Sequence, residues 1–71
     1  MATEIHADMN ASVWKITAQV GDTVAEDDEI MILESMKMEI PVEVEIGGTL
    51  TAIHVSEGDS VTEGQLLATI D

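Results

Sequence analysis

The sequence predicts an all-β sandwich or barrel, and three observations carry that reading. Short apolar runs alternate with polar residues at a period of two, as in Ile40-Pro41-Val42-Glu43-Val44-Glu45-Ile46 and Leu66-x-Ala68-x-Ile70, which is the signature of half-buried strands. Turn residues punctuate these runs at Gly21-Asp22, Gly47-Gly48, Gly58-Asp59 and Gly64. No stretch of helical length carries an apolar stripe with caps.

A further and more constraining observation is an internal repeat. Shifting the chain by 37 residues places Gly21-Asp22-Thr23-Val24-Ala25-Glu26 on Gly58-Asp59-Ser60-Val61-Thr62-Glu63 without a gap. Upstream, Ser12, Val13 and Ile16 fall on Thr49, Leu50 and Ile53. Downstream, Ile30, Leu33 and Glu34 fall on Leu67, Ile70 and Asp71. Two copies are too few for a solenoid; they predict a pseudo-twofold domain in which each half buries the other's apolar face. Residues 11–34 and 48–71 should then superpose after a near-180° rotation.

Taken in order, the elements read as follows. Val13 and Ile16 are spaced wrongly for one face of a strand, which predicts a β-bulge or a strand buried on both sides. Asp27 stands where the second copy has Gly64; aspartate tolerates the left-handed region, so it can serve the same turn. Ile30-Met31-Ile32-Leu33 is a strand, and so is the alternation from Ile40 to Ile46. Pro41 donates no ladder hydrogen bond and belongs at an edge or a strand start. Between these strands, Glu34-Ser35-Met36-Lys37-Met38-Glu39 leaves room for a tight hairpin with Met36 and Lys37 near its tip. Two-residue hairpin turns favour Asn-Gly because both positions need φ > 0. Met-Lys breaks that rule, and a local rule broken once marks function or strain.

Composition bounds the rest. Seventy-one residues are read as a single domain, 1–71, with a small core of Val, Ile, Leu, Met and Ala. With no cysteine there is neither a disulfide nor a thiolate metal site. A hydrophobic content of 45% argues against disorder. A net charge of −13 repels phosphate backbones and anionic lipid heads, so neither nucleic acid nor membrane is expected as a partner. It favours solubility and a basic docking surface on another protein, or serves only to keep a small β protein monomeric. The N-terminus lacks the pattern of a signal peptide and no apolar run reaches transmembrane length, so the cytoplasm is the expected location.

Lys37 is one of two basic residues, the other being Lys15. Methionines ordinarily belong in cores, yet here two bracket a charge where the chain must reverse. That arrangement points to a lysine held out for chemistry done to it. No nucleophile motif, phosphate loop or carboxylate pair is recognisable, so a catalytic role is not expected. An ordinary lysine amine is protonated at neutral pH, and nothing in the chain offers to deprotonate it, which fits a substrate.

Glu34-Ser35-Met36-Lys37-Met38-Glu39 resembles the attachment motif of the biotinyl domain family, the biotin carboxyl carrier proteins and biotin carboxylase subunits. The resemblance extends through Gly21-Asp22-x-Val24, Gly47, Gly58-Asp59-x-Val61 and Gly64-Gln65-x-Leu67, and covers residues 9–71. It implies a flattened β-sandwich (a barrel-sandwich hybrid) of two four-stranded antiparallel sheets with quasi-twofold symmetry, of the type without a thumb insertion. It also implies that a biotin protein ligase joins biotin to Lys37. Met36 and Met38 would then form the ligase recognition motif, with Glu34, Ser35 and Glu39 as weaker flanks. Carboxylate would pass from a biotin carboxylase to a carboxyltransferase. Lysine stem and biotin chain together give a tether of about 14 Å, so the whole domain should also move. Amide formation would take the net charge from −13 to −14.

Three departures from the family pattern stand out. Ser35 replaces a common Ala, Asn10-Ala11 follows Met9 where Pro-Gly is common, and Asp27 replaces a usual Gly. Two other readings are carried forward. One is a lipoyl-type carrier domain, whose relatives usually have Asp-Lys-Ala at the tip; the other is a cofactor-free β-sandwich interaction module. Among the remaining candidates, Glu26-Asp27-Asp28-Glu29 reads as a solvated acidic turn lacking calcium-loop spacing. His6 and His54 read as surface histidines. Trp14, paired with Thr51 in the repeat, reads as a packing residue.

Overall fold

A computed structural model describes residues 2–71. Eight strands follow one another: β1 (Thr3–His6), β2 (Ala11–Ile16), β3 (Thr23–Val24), β4 (Glu29–Ser35), β5 (Met38–Glu43), β6 (Gly48–Ile53), β7 (Ser60–Val61) and β8 (Leu66–Ile70). They form two four-stranded antiparallel sheets, ordered β1-β8-β6-β3 and β5-β4-β2-β7. The shift of 37 carries β2 onto β6 and β3 onto β7 with identical bounds, and carries each sheet onto the other. This is the quasi-twofold sandwich that the repeat implies.

The hydrogen bonds that tie the halves together obey the same symmetry. The Gly21 N–H donates to the Leu50 carbonyl at 2.7 Å, and the Gly58 N–H to the Val13 carbonyl at 2.7 Å. The Asp27 and Gly64 N–H groups donate to the Val44 and Ala7 carbonyls, both at 2.8 Å. Asp27 adopts φ 72 and Gly64 φ 87, so the aspartate does perform the glycine's turn. In the equivalent turns before β3 and β7, Asp22 Oδ2 accepts from the Gln19 N–H and Asp59 Oδ2 from the Ser56 N–H, each at 2.9 Å.

The core is built from matched pairs. Among the described residues, the buried apolar side chains are Ala7/Val44, Val13/Leu50, Ala18/Val55, Val24/Val61, Ile30/Leu67, Met31/Ala68 and Leu33/Ile70. Each pair is related by 37, and the half-buried pairs Ile5/Val42 and Ile16/Ile53 pack against them. A bulge interrupts β2 between Val13 and Lys15, and its twin interrupts β6 between Leu50 and Ala52. The bulge is the reason Val13 and Ile16 both reach the core despite their spacing.

Pro41 lies on β5, the edge strand of its sheet, where a missing donor breaks no ladder. The alternation from Ile40 to Ile46 is not a single strand. β5 ends at Glu43, Val44 is buried, and Ile46 lies in the following loop with 61% of its surface exposed. The chain turns there so that Gly47 can approach Val24 and Ala25.

The two ends of the sandwich are distinct. β1 pairs with β8 through Thr3 and Ile70, which brings the first and last strands together. Beside them lies Gly48, where a Cβ would meet the Asp71 carbonyl oxygen at 2.8 Å and Ile70 Cγ2 at 2.9 Å. The β4–β5 connection is at the other end, flanked by Ser12, Ala11 and Val61. The molecule is longest along one axis, 32 Å against 18 and 17 Å.

Candidate functional site

β4 and β5 form a hairpin in which Glu34 pairs with Glu39 and Ser35 with Met38. Only Met36 and Lys37 remain for the turn, at φ 52 and φ 65. Both central residues therefore lie in the left-handed region that a tight two-residue hairpin turn demands. Neither residue type suits it, and each costs on the order of 1 kcal/mol against a glycine or asparagine. Strand pairing on both sides holds them there.

The turn fully presents its side chains. Lys37 is exposed, Met36 is 91% exposed and Met38 63%. The two methionines are thus not core residues, which removes their ordinary explanation. Among the described residues, the Lys37 amine makes no ion pair or hydrogen bond. Glu34 and Glu39 are exposed, and Ser35 is half-buried. The motif's six residues are contiguous on one hairpin, so the structure brings all of them together. The chemistry of the tip fits an acyl-type attachment: one primary amine, solvent-accessible, with no internal competitor for its protons or lone pair. It suits a group joined by an amide and carried outward.

The neighbouring loop is tied down. Asn10 Oδ1 accepts from the Glu63 N–H at 2.8 Å, and β2 then starts beside β4 through Ser12 and Glu34. Asn10 thus anchors the strand next to the hairpin to the second half of the repeat.

The other candidates lie elsewhere. In the acidic turn, Asp28 Oδ2 accepts from the Ala25 N–H at 2.8 Å and so shapes the loop. His6 Nε2 stands 3.5 Å from Glu4 Oε1, and His54 Nε2 lies 3.1 Å from Thr69 Oγ1; both histidines are exposed. Trp14 corrects its expectation. It is 48% exposed because it follows the inward Val13 and faces outward, and the β2 bulge keeps Lys15 on the outer face beside it. A groove of about 460 Å³ between the free edges of β1 and β5 had no sequence signal. Its walls are residues 3–9 and 40–46, related by 37, with Leu33 between them. None of the hairpin tip lines it, so it is not where a group on Lys37 begins.

Comparison with known proteins is consistent over the whole chain. The family described as "Biotin-requiring enzyme" matches residues 2–70. The chain is 45% identical over 69 residues to a biotin carboxyl carrier protein of Streptococcus mutans, covering 97% of this chain and 53% of that protein. It thus spans about half the length of that relative. It is 40% identical to a "Biotinylated protein TB7.3 homolog" of Mycobacterium leprae, covering 99% of both. Among solved structures, the Kluyveromyces lactis urea carboxylase superposes with a TM-score of 0.95 at 34% identity, over 100% of this chain and 6% of that one. The lipoyl domain of the Azotobacter vinelandii 2-oxoglutarate dehydrogenase complex gives 0.77 at 25% identity, covering 94% and 95%. A twofold β-sandwich, a lysine hairpin and a family match from one end to the other lead to one conclusion: this chain belongs to the biotinyl domain family, within the biotin/lipoyl attachment domains.

Proposed function

We propose that the chain is a single carrier domain, residues 1–71, that works in the cytoplasm as part of a biotin-dependent carboxylase. Lys37 is the attachment point and is acylated by a biotin protein ligase. Met36 and Met38 mark it for the ligase, and Glu34, Ser35 and Glu39 frame it. The observation that carries this reading is the exposed, unpartnered Lys37 amine between two exposed methionines.

Attachment forms an amide between Nζ and the biotin carboxyl carbon. The carboxyl carbon's bond to its activating group breaks; that group and two of the ammonium's three protons leave to the ligase, because this chain places no base beside Lys37, and the third proton stays on the amide nitrogen. When bound, biotin supplies the site that carries carboxylate from a biotin carboxylase to a carboxyltransferase. The chain's own contribution is positional. The hairpin projects the lysine from one end, and the first and last strands come together at the other, so a tether or partner held there leaves the lysine free to enter an active site. A tether of about 14 Å raises the local concentration of its end at whichever site is docked.

The likeness to a lipoyl domain supports one second reading, a lipoyl carrier using the same lysine. Intact-mass analysis separates the two. Incubation with a biotin protein ligase, biotin and ATP should add one biotinyl group to the wild type and none to Lys37→Ala. A lipoyl adduct under a lipoate ligase, with no biotinyl adduct, would favour the second reading. No adduct under either would favour a cofactor-free module.

A further inference from the structure

The buried half of this molecule is symmetric; its solvent faces are not. Every buried apolar residue among those described has its twin 37 positions away. The same shift applied to the outer faces finds different chemistry. Trp14 corresponds to Thr51, Lys15 to Ala52, Ile32 to Thr69 and Pro41 to Glu4. Packing demands the inner match, because both halves fill one core. It makes no demand on residues facing water, so an apolar set confined to one outer face needs another cause.

That face is the outside of the sheet that bears Lys37. Lys15, Ile32 and Pro41 form one cross-strand row through β2, β4 and β5. Trp14 bulges beside it. The next row towards the tip is Ser12, Glu34 and Glu39. Beyond it stand the exposed Met36 and Met38. The opposite outer face carries Thr51, Ala52 and Thr69, with His54 bonded to Thr69. Trp14, the half-buried Ile32 and Pro41 thus surround Lys15 inside a carboxylate rim; apolar side chains within a polar rim are the composition of a protein-docking patch, and the rim of Glu34, Glu39 and Glu43 calls for a basic edge on the partner.

We propose that the outer face of the β5-β4-β2-β7 sheet, centred on Trp14 and Ile32, is the docking surface for the biotin protein ligase. The proposal rests on Lys37 being the ligase's target. Reach selects the ligase over the carboxylase partners. The unmodified amine extends only about 6 Å from its Cα, so the ligase must lie against the hairpin and whatever adjoins it. The carboxylase partners meet a tether more than twice as long and can stand off. A standard interface of about 800 Å² per partner has a radius of about 16 Å. Trp14 lies on the order of 15 Å from Lys37 by strand spacing, within that footprint. An aromatic residue at such a place is the kind that carries binding energy.

The symmetry also supplies the test. Trp14→Thr and Ile32→Thr give this sheet the residues its twin carries at the same positions, in a β-branched form suited to strands. Biotinylation by a purified biotin protein ligase is followed by initial rate, with circular dichroism and urea midpoint as folding controls. The double variant should raise KM for the domain about tenfold or more while leaving kcat nearly unchanged. Thr51→Ala, on the opposite face, should change neither. The wild-type KM should rise with salt if the partner's edge is basic. If the double variant does not fold, Trp14→Thr alone replaces it. Wild-type KM in either folded variant overturns the docking surface, as does a fall in kcat alone. A wild-type protein that acquires no biotin at Lys37 overturns the attachment reading instead, so the two failures are distinguishable.

Discussion

The hairpin turn should be improvable, and improvement should abolish function. Met36 and Lys37 sit at φ 52 and φ 65, where Asn-Gly is the favoured pair. Consider the double variant Met36→Asn, Lys37→Gly. Each native residue carries a left-handed penalty of about 1 kcal/mol or more. Glycine relieves its share but adds unfolded-state entropy worth about 0.5–1 kcal/mol. Asparagine relieves only part. Neither side chain loses packing, because Met36 is 91% exposed and Lys37 is exposed and makes no ion pair or hydrogen bond among the described residues. The net expectation is a gain of about 1 kcal/mol, which in a domain of this size raises Tm by about 4–8 °C. Thermal and urea unfolding followed by far-ultraviolet circular dichroism measure it. Trp14 is a weaker probe, since it is already half exposed in the folded state. A variant no more stable than the wild type would refute the strained-turn reasoning. A variant that is stable yet still biotinylated would refute the assignment of Lys37.

Further predictions concern specificity and packing. Peptide mapping after ligase treatment should find modification at Lys37 alone, with Lys15 untouched because it stands mid-strand without methionine flanks. Lys37→Ala should change unfolding free energy by less than about 0.5 kcal/mol, as expected of an exposed position. Leu67→Ala, in a fully buried pair with Ile30, should cost about 2–5 kcal/mol. Val42→Ala and Ile53→Ala, half-buried against the core, should cost less, about 1–2 kcal/mol by the area they bury. Gly48→Ala should be destabilising by about 1–3 kcal/mol through overpacking, since its Cβ would meet Asp71 backbone and Ile70. Urea midpoints at constant slope would rank these five.

Much of this molecule was legible in its sequence because the constraint behind it is local or repeated. The shift of 37 aligns residues that must be apolar in both copies, and it identified the paired halves. The bulge at Val13–Ile16, the edge position of Pro41 and the left-handed turn at Asp27 each follow from a single residue's stereochemistry, so each could be expected before any coordinates. Lys37 between two methionines at a chain reversal was legible for the same reason: core residues had been placed where no core could reach. Tertiary structure alone decided what depends on which face meets water. Trp14 follows the inward Val13 and faces water, although it was expected to pack; the bulge then turns Lys15 outward beside it and returns Ile16 to the core. The loop after Glu43 exposes Ile46, although the alternation runs straight through it. The apolar outer face of the Lys37 sheet is assembled from three strands, and residues 14, 32 and 41 become neighbours only through register, which periodicity along one strand does not record.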